Sequence, residues 1–188
     1  MKKQLKLLAV IDMQNDFIDG SLGTKEAQAI VPNVVDKNKN GGYDVIIATA
    51  DIHFDEDYLK TQEGKLLPIK HCINGTSGAQ LNEDVRLALH EFNEKHTKRF
   101  IALDKHTFGA IELPRCINDI LLKKDEEVAE IDIVGLCTDI CVVNNAMILK
   151  AAYPEAKITV HSDCCAGTTP EMHNAALSTM RSCQIFVE

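Results

Sequence analysis

The sequence predicts a three-layer α/β/α domain built on a mainly parallel, six-stranded sheet, and three observations carry that prediction. Short, largely apolar runs recur at 5–11, 45–50, 99–103, 131–134, 156–161 and 184–187. Segments with helical spacing of apolar residues lie between most of them. The runs are apolar almost throughout rather than alternating, as strands buried on both faces are. Repeated strand–helix–strand units call for right-handed crossovers, which lay helices on both faces of a parallel sheet. The 188 residues suit a single domain, 1–188, with a sizeable core.

Each element has its own signal. Residues 5–11 form a first, central strand, followed by Asp12-Met13-Gln14-Asn15-Asp16-Phe17 at its C-terminal end. Residues 24–31 are ambiguous, and Pro32 reads as the first position of a short helix that Gly41-Gly42 ends. The strand 45–50 runs into Asp51-Ile52-His53. Residues 54–79 read as a long loop, and a loop of that length in a compact domain is usually functional. Val85, Leu87, Ala88, Leu89 and Phe92 mark an amphipathic helix over 82–95, and the third strand, 99–103, ends in Asp104-Lys105. A further helix is expected over 112–122, with Pro114 near its start, and the charged run 123–130 reads as a solvated turn.

The most informative stretch is Ile133-Val-Gly-Leu-Cys-Thr-Asp-Ile-Cys-Val-Val143. Ile131, Ile133 and Val134 read as a buried strand that Gly135 stops. Thr138 and Asp139 read as N-caps. Cys141 then opens a helix whose apolar positions run on through Ala146, Met147 and Leu149. This places Cys141 in a first helical turn just past a strand's C-terminal end, where open α/β sheets hold their ligands. A helix N-terminus is expected to lower a thiol's pKa. A fifth strand, 156–161, leads to Cys164-Cys165 as a packed turn, a helix capped by Thr168-Thr169-Pro170, and a short last strand.

Composition removes several function classes. The formal net charge of −8 argues against nucleic acid as a partner. No apolar run approaches the roughly 20 residues of a membrane span. The N-terminal Lys-rich apolar run is broken by Asp12 and Asp16 and reads as a strand rather than a secretion signal. Seven cysteines, an odd number, several of them in core elements, point to reduced thiols and a cytoplasmic setting. There is no GxGxxG and no Walker A motif.

Asp12, Lys105 and Cys141 each follow a predicted strand's C-terminal end, and Asp51 and His53 follow another. A parallel sheet gathers those ends at one edge, so the residues can converge without being neighbours in sequence. A thiol needs a base to become a nucleophile near neutral pH, and a carboxylate in reach can serve. Asp51, His53 and His71 have the donor types that suit Zn²⁺, Fe²⁺ or Mn²⁺.

The blocks VIDMQNDF, DKHTFGA and GLCTDICV, in that order over nearly the whole chain, resemble those of the isochorismatase-like cysteine hydrolases, and of the nicotinamidases among them. The resemblance implies the isochorismatase-like hydrolase fold, with Cys141 as nucleophile, Asp12 as general base and Lys105 as the cation beside them. It implies an oxyanion hole at the backbone N–H groups of Cys137 and Cys141, and a cis peptide between Leu136 and Cys137. It implies a divalent transition metal, zinc before iron or manganese, on Asp51, His53 and His71, with Glu63 resembling the fourth ligand of some members. Phe17 and Phe108 match positions that pack on substrate.

The expected activity is hydrolysis of a small amide, nicotinamide first, in NAD salvage, by a homo-oligomer with no nucleic-acid or membrane partner. The alternative is another small amide or carbamoyl compound. The chain has no Trp, so one aromatic wall of a nicotinamide pocket is missing or replaced. A catalytically idle α/β binding or redox protein is the reading from another class, and the intact Asp12, Lys105 and Cys141 speak against it. His90, His96, His106, His161 and His173 receive no role, with His173 expected on the surface.

Overall fold

A computed structural model describes residues 2–96 and 99–188. Nine residues of β1 (Lys3–Ile11) alternate between two cores. Leu5, Leu7, Ala9 and Ile11 point to one face, Leu8 and Val10 to the other, and all six are buried. This period of two lets one strand anchor both helical layers. The sheet order is β3-β2-β1-β4-β5-β6 and every pairing is parallel, with β2 at Val45–Asp51, β3 at Phe100–Lys105, β4 at Glu126–Leu136, β5 at Lys157–Ala166 and β6 at Phe186–Val187. The chain therefore reverses direction of travel across the sheet between β1 and β4. A crevice opens at such a switch point, outside the strands' carboxyl ends.

Helices α1 (Asn15–Ile18), α2 (Lys25–Asn40) and α4 (Glu83–Lys95) belong to one layer. In α4 the buried Val85, Ala88, Leu89 and Phe92 follow the 3.6-residue period, and Asn82 caps it through Asp84 and Val85 N–H. The opposite layer holds α5 (Leu113–Cys116), α6 (Val143–Ala152) and α7 (Pro170–Ser182). Among the described residues, no helix is long and apolar enough to cross a membrane. All seven cysteines are free thiols.

Several boundaries differ from the sequence reading. The ambiguous residues 24–31 are mostly helix: α2 starts at Lys25, with Thr24 Oγ1 accepting the Ala27 N–H at 3.0 Å, and Pro32 lies inside it. The cap outweighs the proline signal, and Pro32, the eighth helical residue, forgoes one backbone bond inside a sixteen-residue helix. The long loop 54–79 contains a 3₁₀ turn, Tyr58–Lys60, and a short helix α3, Gln62–Leu66. The expected helix over 112–122 is α5 followed by a π-helical turn, Ile117–Leu121.

The charged run 123–130 is largely strand, not a solvated turn. Glu126 is buried and takes a bidentate ion pair from Arg99, at 2.7 Å on each oxygen. Gly135 does not end β4. It sits at φ +123, where an added Cβ would run into the Ile11 carbonyl oxygen, so the residue permits the close approach of β4 to β1 at the switch point. Cys164 and Cys165 lie within β5 and are buried, rather than forming a turn.

Candidate active site

Four strand ends line up along the carboxyl edge. Lys105 closes β3 in register with Asp51 of β2, and Asp12 follows β1. Cys141 lies five residues past β4 in the π-helical turn Thr138–Val142. The Lys105 ammonium reaches over β2 to Asp12 Oδ2 at 2.8 Å, with Asp51 Oδ1 at 3.5 Å, and donates to Cys141 Sγ at 3.4 Å. Asp12, Lys105 and Cys141 are all buried. Asp12 has φ 47, a turn that carries its side chain off the strand, and its Oδ1 accepts the Thr49 hydroxyl at 2.7 Å.

Burial pushes the Asp12 carboxyl up, against the pull of the Lys105 ammonium. Burial alone would depress the Lys105 ammonium, but the Asp12 carboxylate, then Cys141 and Asp51, hold it above its usual value. Cys141 differs from the sequence expectation. Its thiol is pushed well up, first by burial and then by the Asp12 carboxylate, with Lys105 opposing. A helix terminus cannot offset the loss of water and a carboxylate in contact. The resting group is thus a thiol held against a base.

The caps also differ. No side chain caps the Cys141 turn; Cys137 occupies the N-cap position. Thr138 Oγ1 instead lies 2.8 Å from His173 Nδ1, and Asp139 accepts from Thr168 N–H at 2.8 Å and from its hydroxyl at 2.5 Å. His173 is therefore half-buried, not a free surface residue. His161 is buried 3.2 Å from Asp132 Oδ1, away from the site. The Leu136–Cys137 peptide is cis. Burial pushes the Cys137 thiol up to about 12.

Asp51, His53, Glu63 and His71 form a second cluster beside Lys105, with one donor atom from each lying within 4.8 Å of the others. His53 Nε2 is 3.1 Å from Asp51 Oδ2 and 3.5 Å from Glu63 Oε1. His71 Nε2 is 3.6 Å from Glu63 Oε1. Backbone pairing brings the loop back to the strand end: His53 N–H donates to Cys72 O at 3.0 Å and Asn74 N–H to His53 O at 2.8 Å. The residues fit a divalent cation. His71 Nδ1 faces the Ile69 carbonyl at 2.9 Å, which sets that nitrogen as the donor and leaves Nε2 as a ligand. Burial lowers the proton affinity of His53, but Asp51 and then Glu63 outweigh it, so positive charge is favoured at this point. Burial raises Asp51 too, yet the His53 contact and Lys105 hold it below its usual value.

A cavity of about 630 Å³ joins the two clusters. Asp51, Glu63 and His71 line it together with Cys137 and Cys141, and so do Phe17 and Phe108. His53 packs behind, against His71 and Tyr58, with ring centroids 4.8 Å away in each case. His106, which the sequence left without a role, also lines the cavity.

Three supporting residues escaped sequence reasoning. Buried Gln14 donates to Asp51 O and Ala79 O, both at 2.8 Å, and accepts Asp51 N–H at 2.7 Å. Asp16 Oδ2 accepts Cys72 N–H at 2.7 Å. Asn145 donates to Cys141 O at 2.8 Å and accepts Ala110 N–H at 2.9 Å. Gln14 and Asp16 lie inside the DMQNDF block and Asn145 four residues after Cys141, the only signals they carry.

A sequence model described as the isochorismatase domain matches residues 6–188. The chain is 32% identical over 182 residues to an uncharacterized isochorismatase family protein PncA of Bacillus subtilis, covering 92% of each. Its structure is similar to the crystal structure of nicotinamidase/pyrazinamidase PncA from Bacillus subtilis, with a TM-score of 0.79 and 28% identity over 100% of this chain and 99% of that one. It is also similar to a pyrazinamidase of Pyrococcus horikoshii in complex with zinc, with a TM-score of 0.71 and 26% identity over 97% and 98% of the two chains.

Proposed function

This chain belongs to the isochorismatase family, and from that premise we propose that it is a nicotinamidase, converting nicotinamide and water to nicotinate and ammonia. The observation that carries the reading is the buried contact of Lys105 with Asp12 at 2.8 Å and Cys141 at 3.4 Å, opening on the cavity. Asp12 takes the Cys141 proton as the sulfur attacks the amide carbonyl. The N–H groups of Cys137 and Cys141, at the start of a helical turn, receive the developing oxyanion. Asp12 gives that proton to the amide nitrogen, which leaves as ammonia. It then takes a proton from the water that attacks the thioester and returns it to the Cys141 sulfur as the acid leaves. Lys105 keeps one positive charge beside Asp12 and Cys141 throughout, so no proton transfer leaves an uncompensated anion in a dry site.

Asp51, His53, Glu63 and His71 would hold the metal, zinc before iron or manganese. When bound, it supplies a Lewis acid that can hold a pyridine nitrogen. The relatives' names and the zinc complex support this reading. Phe17 and Phe108 flank the substrate ring. One continuous sheet supports treating residues 1–188 as a single domain, and free thiols support a cytoplasmic setting. The homo-oligomer expected from the sequence is checked by light scattering.

The test is ammonia release from nicotinamide, pyrazinamide and aliphatic amides by the wild-type chain and by Cys141→Ala. Release from nicotinamide that disappears in Cys141→Ala is expected. Release from aliphatic amides alone favours the second reading, another small amide, for which the absence of any Trp speaks. No release from any amide leaves the idle binding protein.

A further inference from the structure

We propose that the outer half of this cavity is a subsite for a neutral, apolar substituent on the ring, so that the preferred substrates are 5-substituted pyridine-3-carboxamides larger than nicotinamide. The inference rests on the nicotinamidase reading and extends it to substrate class. About 630 Å³ lies within the range of roughly 300–1,000 Å³ that encloses drug-sized ligands. A single-ring amide fills a minor part of that space. With the carboxamide at Cys141 and the ring nitrogen toward Asp51 and His71, both anchors lie on one edge of the ring. The carbon opposite that edge is C5, and a group on it leaves the anchored end of the cavity.

What that group would meet is readable residue by residue. Apart from the anchoring residues and the two phenylalanines, the lining includes Leu22, Ala27, Leu66, Leu67 and Ile140. The neutral polar Thr24, Gln62, Thr107 and Thr168 line it too, as does His106. Ala27 is buried, Phe108 is 43% exposed and Leu66 80% exposed, so the walls run from the interior to the mouth. Exposed leucine and phenylalanine at a cavity mouth gain by covering an apolar group. The two carboxylates that line the cavity, Asp51 and Glu63, belong to the metal cluster, and no Lys or Arg is among the described lining residues. An anionic substituent away from the metal cluster would therefore lose water and meet no Lys or Arg, which disfavours phosphorylated or carboxylated relatives of the substrate. No Trp is present to close the space over a small ring.

The experiment uses three ligands on metal-loaded protein: nicotinamide, 5-phenylnicotinamide and 5-carboxynicotinamide. Calorimetry on Cys141→Ala reads binding without turnover, and ammonia release on the wild type reads kcat/KM. The 5-phenyl compound is expected to bind about tenfold or more tighter than nicotinamide, with kcat/KM equal or higher, and the 5-carboxy compound to bind more weakly. Leu66→Lys, at an exposed position outside the catalytic groups, should narrow the phenyl advantage and improve the carboxylate. Turnover of nicotinamide with 5-phenylnicotinamide bound no tighter and cleaved about a hundredfold more slowly would overturn the subsite and leave the nicotinamidase reading intact. Turnover of 5-phenylnicotinamide without nicotinamide would do the reverse, and turnover of neither sinks both.

Discussion

Replacing Asp12 by Asn separates two roles that one carboxylate plays. Asn keeps the shape, and its carbonyl can still accept the Thr49 hydroxyl that now lies 2.7 Å from Oδ1. It removes the charge that faces Lys105 at 2.8 Å. The buried ammonium is then left with Asp51 at 3.5 Å. Breaking a buried pair from one side costs about 3–5 kcal/mol. For a chain of this length each kcal/mol moves Tm by about 2–4 °C, so a fall of about 6–20 °C is expected.

Turnover should fall by about 10²–10⁴, the contribution of a positioned general base. The thiol should move the other way. Burial and then the Asp12 carboxylate raise the Cys141 pKa and Lys105 lowers it, so deleting the carboxylate leaves the cation's pull opposed by burial and the more distant Asp51. Iodoacetamide should therefore alkylate Cys141 at a lower pH in Asp12→Asn than in the wild type. Ammonia release, a pH series of alkylation followed by mass spectrometry, and a thermal melt give the three readings. An alkylation profile that stays put or shifts upward would refute the placement of Asp12 against the thiol. Retained turnover would refute its role as base.

Cys141→Ala removes one buried sulfur and should stay folded with a stability loss of about 1 kcal/mol, while ammonia release falls to less than about a hundredth of the wild-type rate; a faster residual rate means that the thioester route is wrong. Elemental analysis of protein purified without chelator should find about one transition metal per chain, and His71→Ala should lose the metal while Cys141 remains open to alkylation; no metal, with no Tm response to added Zn²⁺ or Mn²⁺, removes the cluster's role as a metal site. Glu126, held at about 2 by its hydrogen bonds to Arg99, has a folded pKa below its unfolded one, so its stabilisation is present above about pH 4.5 and is lost as the pH falls toward about 2. Glu126→Gln should cost about 1–3 kcal/mol at pH 7 by urea unfolding, with the difference closing on acidification across that window; a pH-independent difference would show that the charge is not what stabilises.

The sequence by itself determined the layers, the sheet and the address of the chemistry. Apolar runs and helical periods are local properties, and a parallel sheet gathers strand ends by geometry, so Asp12, Lys105 and Cys141 could be assigned to one edge from their positions after strands. The resemblance of three short blocks then assigned their expected roles. Tertiary structure decided what depends on company. The Cys141 thiol is high rather than low because burial and Asp12 outweigh a helix terminus, and neither is visible at Cys141 itself. Residues 123–130 are mostly strand because Arg99, some 27 positions before Glu126, neutralises a buried carboxylate. Gly135 lets a strand continue because the Ile11 carbonyl comes against it. Gln14, Asp16 and Asn145 are ordinary polar residues until the fold brings Asp51, Cys72, Ala110 and Cys141 within hydrogen-bonding reach. The cavity belongs to this second group: its walls come from segments as distant as Leu22 and Thr168, and only their assembly gives a volume from which a substrate can be sized.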